Sequence, residues 1–202
     1  MKALLFAILT LTAASAIANS PVLTATGDAA AGKAKSSLCA GCHGMDGNSP
    51  LAVNPKLAGL GEKYIADQLA AFKNGKRRNA TMQGMVAALS PQDMLDLAAY
   101  YAGQTVQIGE ADPNLVEWGQ RIYRGGRAED DIPSCMGCHG PNGTGNPAAG
   151  YPGLSGQHAQ YTRDQLKAFR SGQRENLQMN GVAHRMSDQD IEALASYIQG
   201  LH

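Results

Sequence analysis

Cys39-Ala40-Gly41-Cys42-His43 and Cys135-Met136-Gly137-Cys138-His139 are the two stretches from which the rest of the chain is read. Two cysteines three apart, followed at once by histidine, form the attachment signature of a c-type haem. Each thiol can form a thioether to one vinyl group, and the adjacent imidazole is then held beneath the iron as proximal ligand. The chain has 4 cysteines, and the two pentads use them all, so none is left for a disulfide. A zinc ribbon would set its two CxxC pairs roughly 15–20 residues apart. Here a whole small domain separates them. A redox dithiol has no need of a histidine after its second cysteine, twice over. The pentads therefore predict two covalently bound c-type haems, attached at Cys39 and Cys42 and at Cys135 and Cys138, with His43 and His139 on the irons.

Upstream, Met1-Lys2 leads into an apolar run from Ala3 to Ala18 that ends in Ala16-Ile17-Ala18. A charged start, an apolar middle and a small-residue end read as a secretory signal cleaved after Ala18. The run is shorter than the ~20 residues of a spanning helix. Export and covalent haem attachment support one another, and a periplasmic protein is expected.

The 202 residues carry 17 Lys+Arg and 17 Asp+Glu. With no basic excess or arm, a nucleic-acid binder is not expected. The charge is uneven along the chain. Residues 19–109 hold eight bases and six acids, and residues 110–202 hold eight bases and eleven acids, a difference of five charges between the halves. Such asymmetry can orient docking.

The halves are copies of one another. Asn54-Pro55-Lys56-Leu57-Ala58-Gly59 matches Tyr151-Pro152-Gly153-Leu154-Ser155-Gly156, and YIADQLAAFKNG at 64–75 matches YTRDQLKAFRSG at 161–172. Two copies are too few for a solenoid, so this is a duplicated domain: a signal at 1–18, a first domain at 19–105 and a second at 113–202, joined through 103–113. Each copy reads as helical. Ser90 and Ser187, each followed three residues later by aspartate, predict capped helix starts. Met94, Leu97 and Tyr101, and Ile191, Leu194 and Ile198, then form one apolar face per closing helix. Opening helices are expected over 28–38 and 113–125, where Gly32 and Gly119 would admit a close crossing with the last helix. No alternating strand pattern is present.

The repeat also selects the sixth iron ligand. Met82 aligns with Met179, whereas Met85 faces Val182, Met94 faces Ile191 and Met186 faces Leu89. A methionine exchangeable for a branched aliphatic residue is expected to be core. The matched pair is expected on iron, where a soft, neutral thioether favours Fe(II) and raises the potential. His158 and His184 face Gly61 and Ala87 and are expected to be surface or structural. Pro55 and Pro152 lie 12 and 13 residues past their histidines and could offer a carbonyl to the far imidazole nitrogen. Arg77 and Arg174, after matched glycines, are either solvated helix ends or partners of haem propionates.

Taken together, the two CxxCH pentads, Pro-x-Leu-x-Gly, Tyr-x-x-x-Gln-Leu-x-x-Phe, Met-x-Gly and the closing Tyr197-Ile198-Gln199-Gly200-Leu201-His202 resemble the dihaem cytochromes c4 over essentially the whole mature chain. The resemblance implies an all-α fold of two tandem cytochrome c-like haem domains related by a pseudo-twofold axis. It implies Met82 and Met179 as axial ligands and fits the proline carbonyls. It also implies a periplasmic electron carrier, loosely attached to the membrane surface, that passes electrons from the quinol-oxidising respiratory complex toward a terminal oxidase. A carrier with both axial positions closed is not an enzyme. A dihaem peroxidase would need one open iron, which the symmetric methionines oppose. A second reading is the dihaem electron-accepting subunit of a flavocytochrome c sulfide dehydrogenase, and a co-purifying flavin would mark it.

Overall fold

The computed structural model describes residues 26–202. The predicted signal lies outside the described residues. The first half contains α1 (Ala29–Lys35), α2 (Ser37–His43), α3 (Glu62–Lys73), α4 (Ala80–Val86) and α5 (Pro91–Ala102). The second contains α6 (Val116–Gly125), a 3-10 turn (Ala128–Asp130), α7 (Met136–His139), α8 (Ala159–Arg170), α9 (Leu177–Ala183) and α10 (Asp188–Gln199). Extended structure among the described residues is confined to two isolated bridges, Arg127 with Ile132 and Asn146 with Tyr151.

The closing helices form where expected. In α5 and α10 a serine hydroxyl caps the third backbone N–H, and the aspartate there reaches back to the serine, a reciprocal box at both Ser90 and Ser187. Leu97 and Tyr101, and Ile191, Leu194 and Ile198, are fully buried. Each such side chain contributes roughly 1.5–3 kcal/mol on leaving water. Two clusters result, one per half. The first gathers Leu60, Ile65, Leu97, Ala98 and Tyr101, and the second, larger one centres on Ile122, Tyr123, Ile191, Leu194 and Ile198.

The opening helices differ from the sequence reading. In the first half the helix is interrupted at Ser36, whose hydroxyl donates to the Lys33 carbonyl, and a second helix then carries the pentad. In the second half α6 stops at Gly125. A loop held by the Arg127–Ile132 bridge intervenes before the short helix α7. Both opening helices cross their closing partners at glycine. A Cβ on Gly32 would stand 2.0 Å from the Asp96 carbonyl oxygen, and one on Gly119 2.2 Å from that of Ala193.

The halves meet over a polar seam. Arg77 donates to Tyr161 Oη (2.8 Å) and Gln165 Oε1 (2.9 Å), and Arg174 donates to Tyr64 Oη (2.9 Å) and Gln68 Oε1 (2.9 Å). These contacts are mutual images, as a pseudo-twofold axis requires. The connector is pinned on both sides. The Gln107 N–H donates to Asn48 Oδ1 at 2.8 Å, and the Gly109 N–H donates to the Gln199 carbonyl at 3.0 Å. No helix among the described residues is long and apolar enough to cross a membrane.

Candidate functional site

Each pentad ends in a buried histidine at the C-terminus of a helix, α2 for His43 and α7 for His139. His43 Nδ1 lies 2.9 Å from the Pro55 carbonyl oxygen, and His139 Nδ1 lies 2.9 Å from that of Pro152. A carbonyl can only accept, so Nδ1 is the protonated nitrogen in both rings. Nε2 is left with its lone pair free. Burial pushes both imidazoles below their ordinary pKa, against a smaller upward effect of the proline carbonyls. Two neutral, oriented imidazoles thus present the nitrogen an iron requires.

The four thiols are unpaired; Cys39 and Cys135 are half-buried, Cys42 and Cys138 exposed. Burial pushes the Cys135 thiol up to about 12 and raises that of Cys39 as well. Two unpaired thiols followed by a histidine whose Nδ1 is already bonded match the donor set of a covalently attached haem, so the residues present fit the group.

Met82 and Met179 occupy matched places in the short helices α4 and α9. Asn79 and Asn176 cap those helices, each accepting from the methionine's own backbone N–H at 2.9 Å. Both methionine side chains are half-buried. The other methionines divide. Met94 and Met186 are core, at 6% and 3% exposure, in keeping with their aliphatic counterparts. Met85 is not; at 41% exposure it stands at the surface, while its counterpart Val182 packs on the second core.

Arg77 and Arg174 are neither solvated nor set against carboxylates. Each lies over a phenylalanine of its own half, Phe72 at 4.6 Å and Phe169 at 4.5 Å, and reaches across the seam. None of the ion pairs among the described residues includes either one. Burial pushes the Tyr64 phenol up, but the guanidiniums of Arg174 and Arg77 outweigh it and hold the group below its ordinary value. Two cations with only neutral acceptors suit the acidic side chains of haem. His158 also proves structural: its Nε2 is 2.8 Å from the Ser49 carbonyl of the other half.

Sequence reasoning missed Gln157. This buried residue of the second half binds Lys56 of the first through both ends of its amide. Its Oε1 accepts from the Lys56 N–H and its Nε2 donates to the Lys56 carbonyl, each at 2.9 Å. The available signal was a pair of mismatches, Lys56 against Gly153 inside a matched segment and Leu60 against Gln157 directly after it.

A cytochrome c family model matches residues 29–103 and again 116–202. Cytochrome c4 of Pseudomonas aeruginosa is 50% identical over 182 residues, covering 88% of this chain and 90% of that protein. The crystal structure of reduced recombinant cytochrome c4 from Pseudomonas stutzeri superposes with a TM-score of 0.86 at 49% identity, covering 88% of this chain and 100% of the other. A thiosulfate dehydrogenase electron acceptor from Thiomonas intermedia is 38% identical, with 84% of this chain and 81% of that protein covered.

Proposed function

Because the chain belongs to the cytochrome c4 family of electron carriers, with two tandem cytochrome c domains and two covalently bound c-type haems, we propose that it works in the periplasm as a one-electron relay from the quinol-oxidising respiratory complex to a terminal oxidase. In this reading residues 1–18 are a cleaved signal, and the domains span 19–105 and 113–202. Cys39, Cys42, Cys135 and Cys138 hold the haems, His43 and His139 are the proximal ligands, and Met82 and Met179 close the opposite faces.

The observation that carries the reading is the duplicated proximal arrangement, a histidine with Nδ1 tied to a proline carbonyl and Nε2 free in each half. When bound, the haem supplies a reversible Fe(III)/Fe(II) couple. The residues do the rest. His43 with Met82, and His139 with Met179, would hold each iron between them, leaving no place for a substrate, and the ligand set need change little between redox states. Arg77 and Arg174 supply positive charge at the seam between the halves. The protein is a carrier and not an enzyme. The likeness to a thiosulfate dehydrogenase electron acceptor supports a second donor, a dehydrogenase docking on the same carrier.

Absorption spectra of the oxidised and reduced protein, with and without carbon monoxide, test the ligand set. Wild type is expected to bind no carbon monoxide. Met82→Ala and Met179→Ala should each open one iron, lower its potential and bind the gas, whereas Met85→Val and Met186→Leu leave both irons closed. Carbon monoxide binding by Met85→Val, together with an unchanged Met82→Ala, reverses the assignment.

A further inference from the structure

The seam is symmetric at Arg77 and Arg174 but not at Gln157. The Gln157 amide grips both polar backbone groups of Lys56, and Lys56 follows directly after Pro55, whose carbonyl oxygen holds His43 Nδ1 at 2.9 Å. The next residue, His158, grips the same loop at its other end through the Ser49 carbonyl. The Ser49 hydroxyl in turn donates to the Cys42 carbonyl at 2.8 Å. Two consecutive residues of the second half therefore hold the first half's loop at two points, Ser49 and Lys56, both on the stretch that follows the Cys39–His43 pentad.

The reverse contact cannot form. Leu60 stands where a reciprocal glutamine would be, and it has no polar group to offer Gly153. Among the described residues no hydrogen bond from the first half reaches Pro152 or Gly153, whereas the Pro55–Lys56 segment beside His43 is hydrogen-bonded by the second.

We infer that Gln157 is a positioning residue for His43, so that the second domain sets the potential of the first domain's haem and the first has no equivalent hold on the second. The inference rests on the assignment of His43 as proximal ligand. A carbonyl that accepts from Nδ1–H makes the imidazole a more basic ligand, and a more basic ligand favours Fe(III). A strained or lengthened bond to Pro55 therefore raises the potential. Freeing Lys56 from Gln157 lets the Pro55 carbonyl drift and moves the potential of one haem only.

The test compares full-length, haem-loaded wild type with Gln157→Leu, which copies the residue of the other half, and with Gln157→Glu. The glutamate variant keeps an acceptor for the Lys56 N–H and loses the donor to its carbonyl. Two readouts are taken: a spectroelectrochemical titration that resolves both haems, and the proton NMR signal and exchange rate of each proximal Nδ1–H. In Gln157→Leu the Cys39/Cys42 haem is expected to shift upward and the His43 Nδ1–H to exchange faster, while the Cys135/Cys138 haem and His139 keep their wild-type values. Gln157→Glu adds a negative charge that itself lowers the potential, so for this variant the His43 Nδ1–H exchange rate is the readout, and it should fall between. An unmoved Cys39/Cys42 potential overturns the inference. So does an equal shift of both haems, which would mean that the seam had simply opened. The wild-type spectrum is read first: if His43 is not on iron, the ligand assignment itself falls and this inference with it, whereas a normal wild type with a silent Gln157→Leu sinks this inference alone.

Discussion

Asp96 illustrates how much one side chain anchors. Its carboxylate is almost fully buried and accepts from the Asp28 backbone N–H at 3.0 Å, from Lys35 Nζ at 2.7 Å and from Gln92 Nε2 at 2.8 Å. These donors, the Asp28 N–H foremost, pull its pKa down to about 2. A carboxylate depressed in the folded state stabilises the fold above its unfolded pKa of about 3.9, and that contribution disappears as the pH falls toward 2. Acid unfolding followed by far-ultraviolet circular dichroism should therefore steepen between about pH 4 and pH 2. Asp96→Asn is expected to be less stable than wild type at neutral pH, and the two curves should converge in acid. Parallel curves across that range would show that the carboxylate contributes nothing.

At the scale of the helix, the tightest constraint is the crossing of opening and closing helices. Alanine normally outranks glycine inside a helix by about 1 kcal/mol. At Gly119 the added methyl would sit 2.2 Å from the Ala193 carbonyl oxygen, and backbone cannot swing aside as a flexible side chain can. Gly119→Ala is expected to lose roughly 1–3 kcal/mol from overpacking. Gly125, in the same helix, has nothing within 4 Å of the position a Cβ would take, so Gly125→Ala should gain a fraction of a kcal/mol. Urea midpoints of the two variants should move in opposite directions. The crossing, like the capped starts at Ser90 and Ser187, was legible in the sequence because glycines, caps and apolar spacing act locally and recur in both copies. The interruption at Ser36 was not legible. The residue keeps right-handed helical angles, and the bond from its hydroxyl to the Lys33 carbonyl leaves no mark in the periodicity. The position of Met85 was misread for a related reason: exchange with valine marks a position as apolar without saying that it is enclosed.

At the scale of the whole molecule, each half has its own core and the second half buries the larger one. The seam between them carries paired hydrogen bonds, and neither core cluster extends across it. Denaturant unfolding is therefore expected in two steps, with the first half released before the second. Separate loss of the native haem absorption of each half, in that order, is the measurement; a single joint loss would show the seam to be stronger than either core. Most of the seam was invisible to sequence reading. Arg77 and Arg174 stood out as a matched pair, but a repeat aligned to itself shows only what the copies share within a fold. Their partners, Tyr161, Gln165, Tyr64 and Gln68, belong to the opposite copy. Gln157 lay deeper still, because it is where the copies have diverged.

The connector between the halves carries its own consequence. Surface loops ordinarily tolerate insertions, since an added residue bulges into solvent at little cost. Here Gln107 is fastened to Asn48 of one half and Gly109 to Gln199 of the other, with only Ile108 between the two fastenings. One residue more or less puts one fastening out of register. The join left by the duplication has thereby become a measured span, whose length is not free to change as a surface loop's ordinarily is.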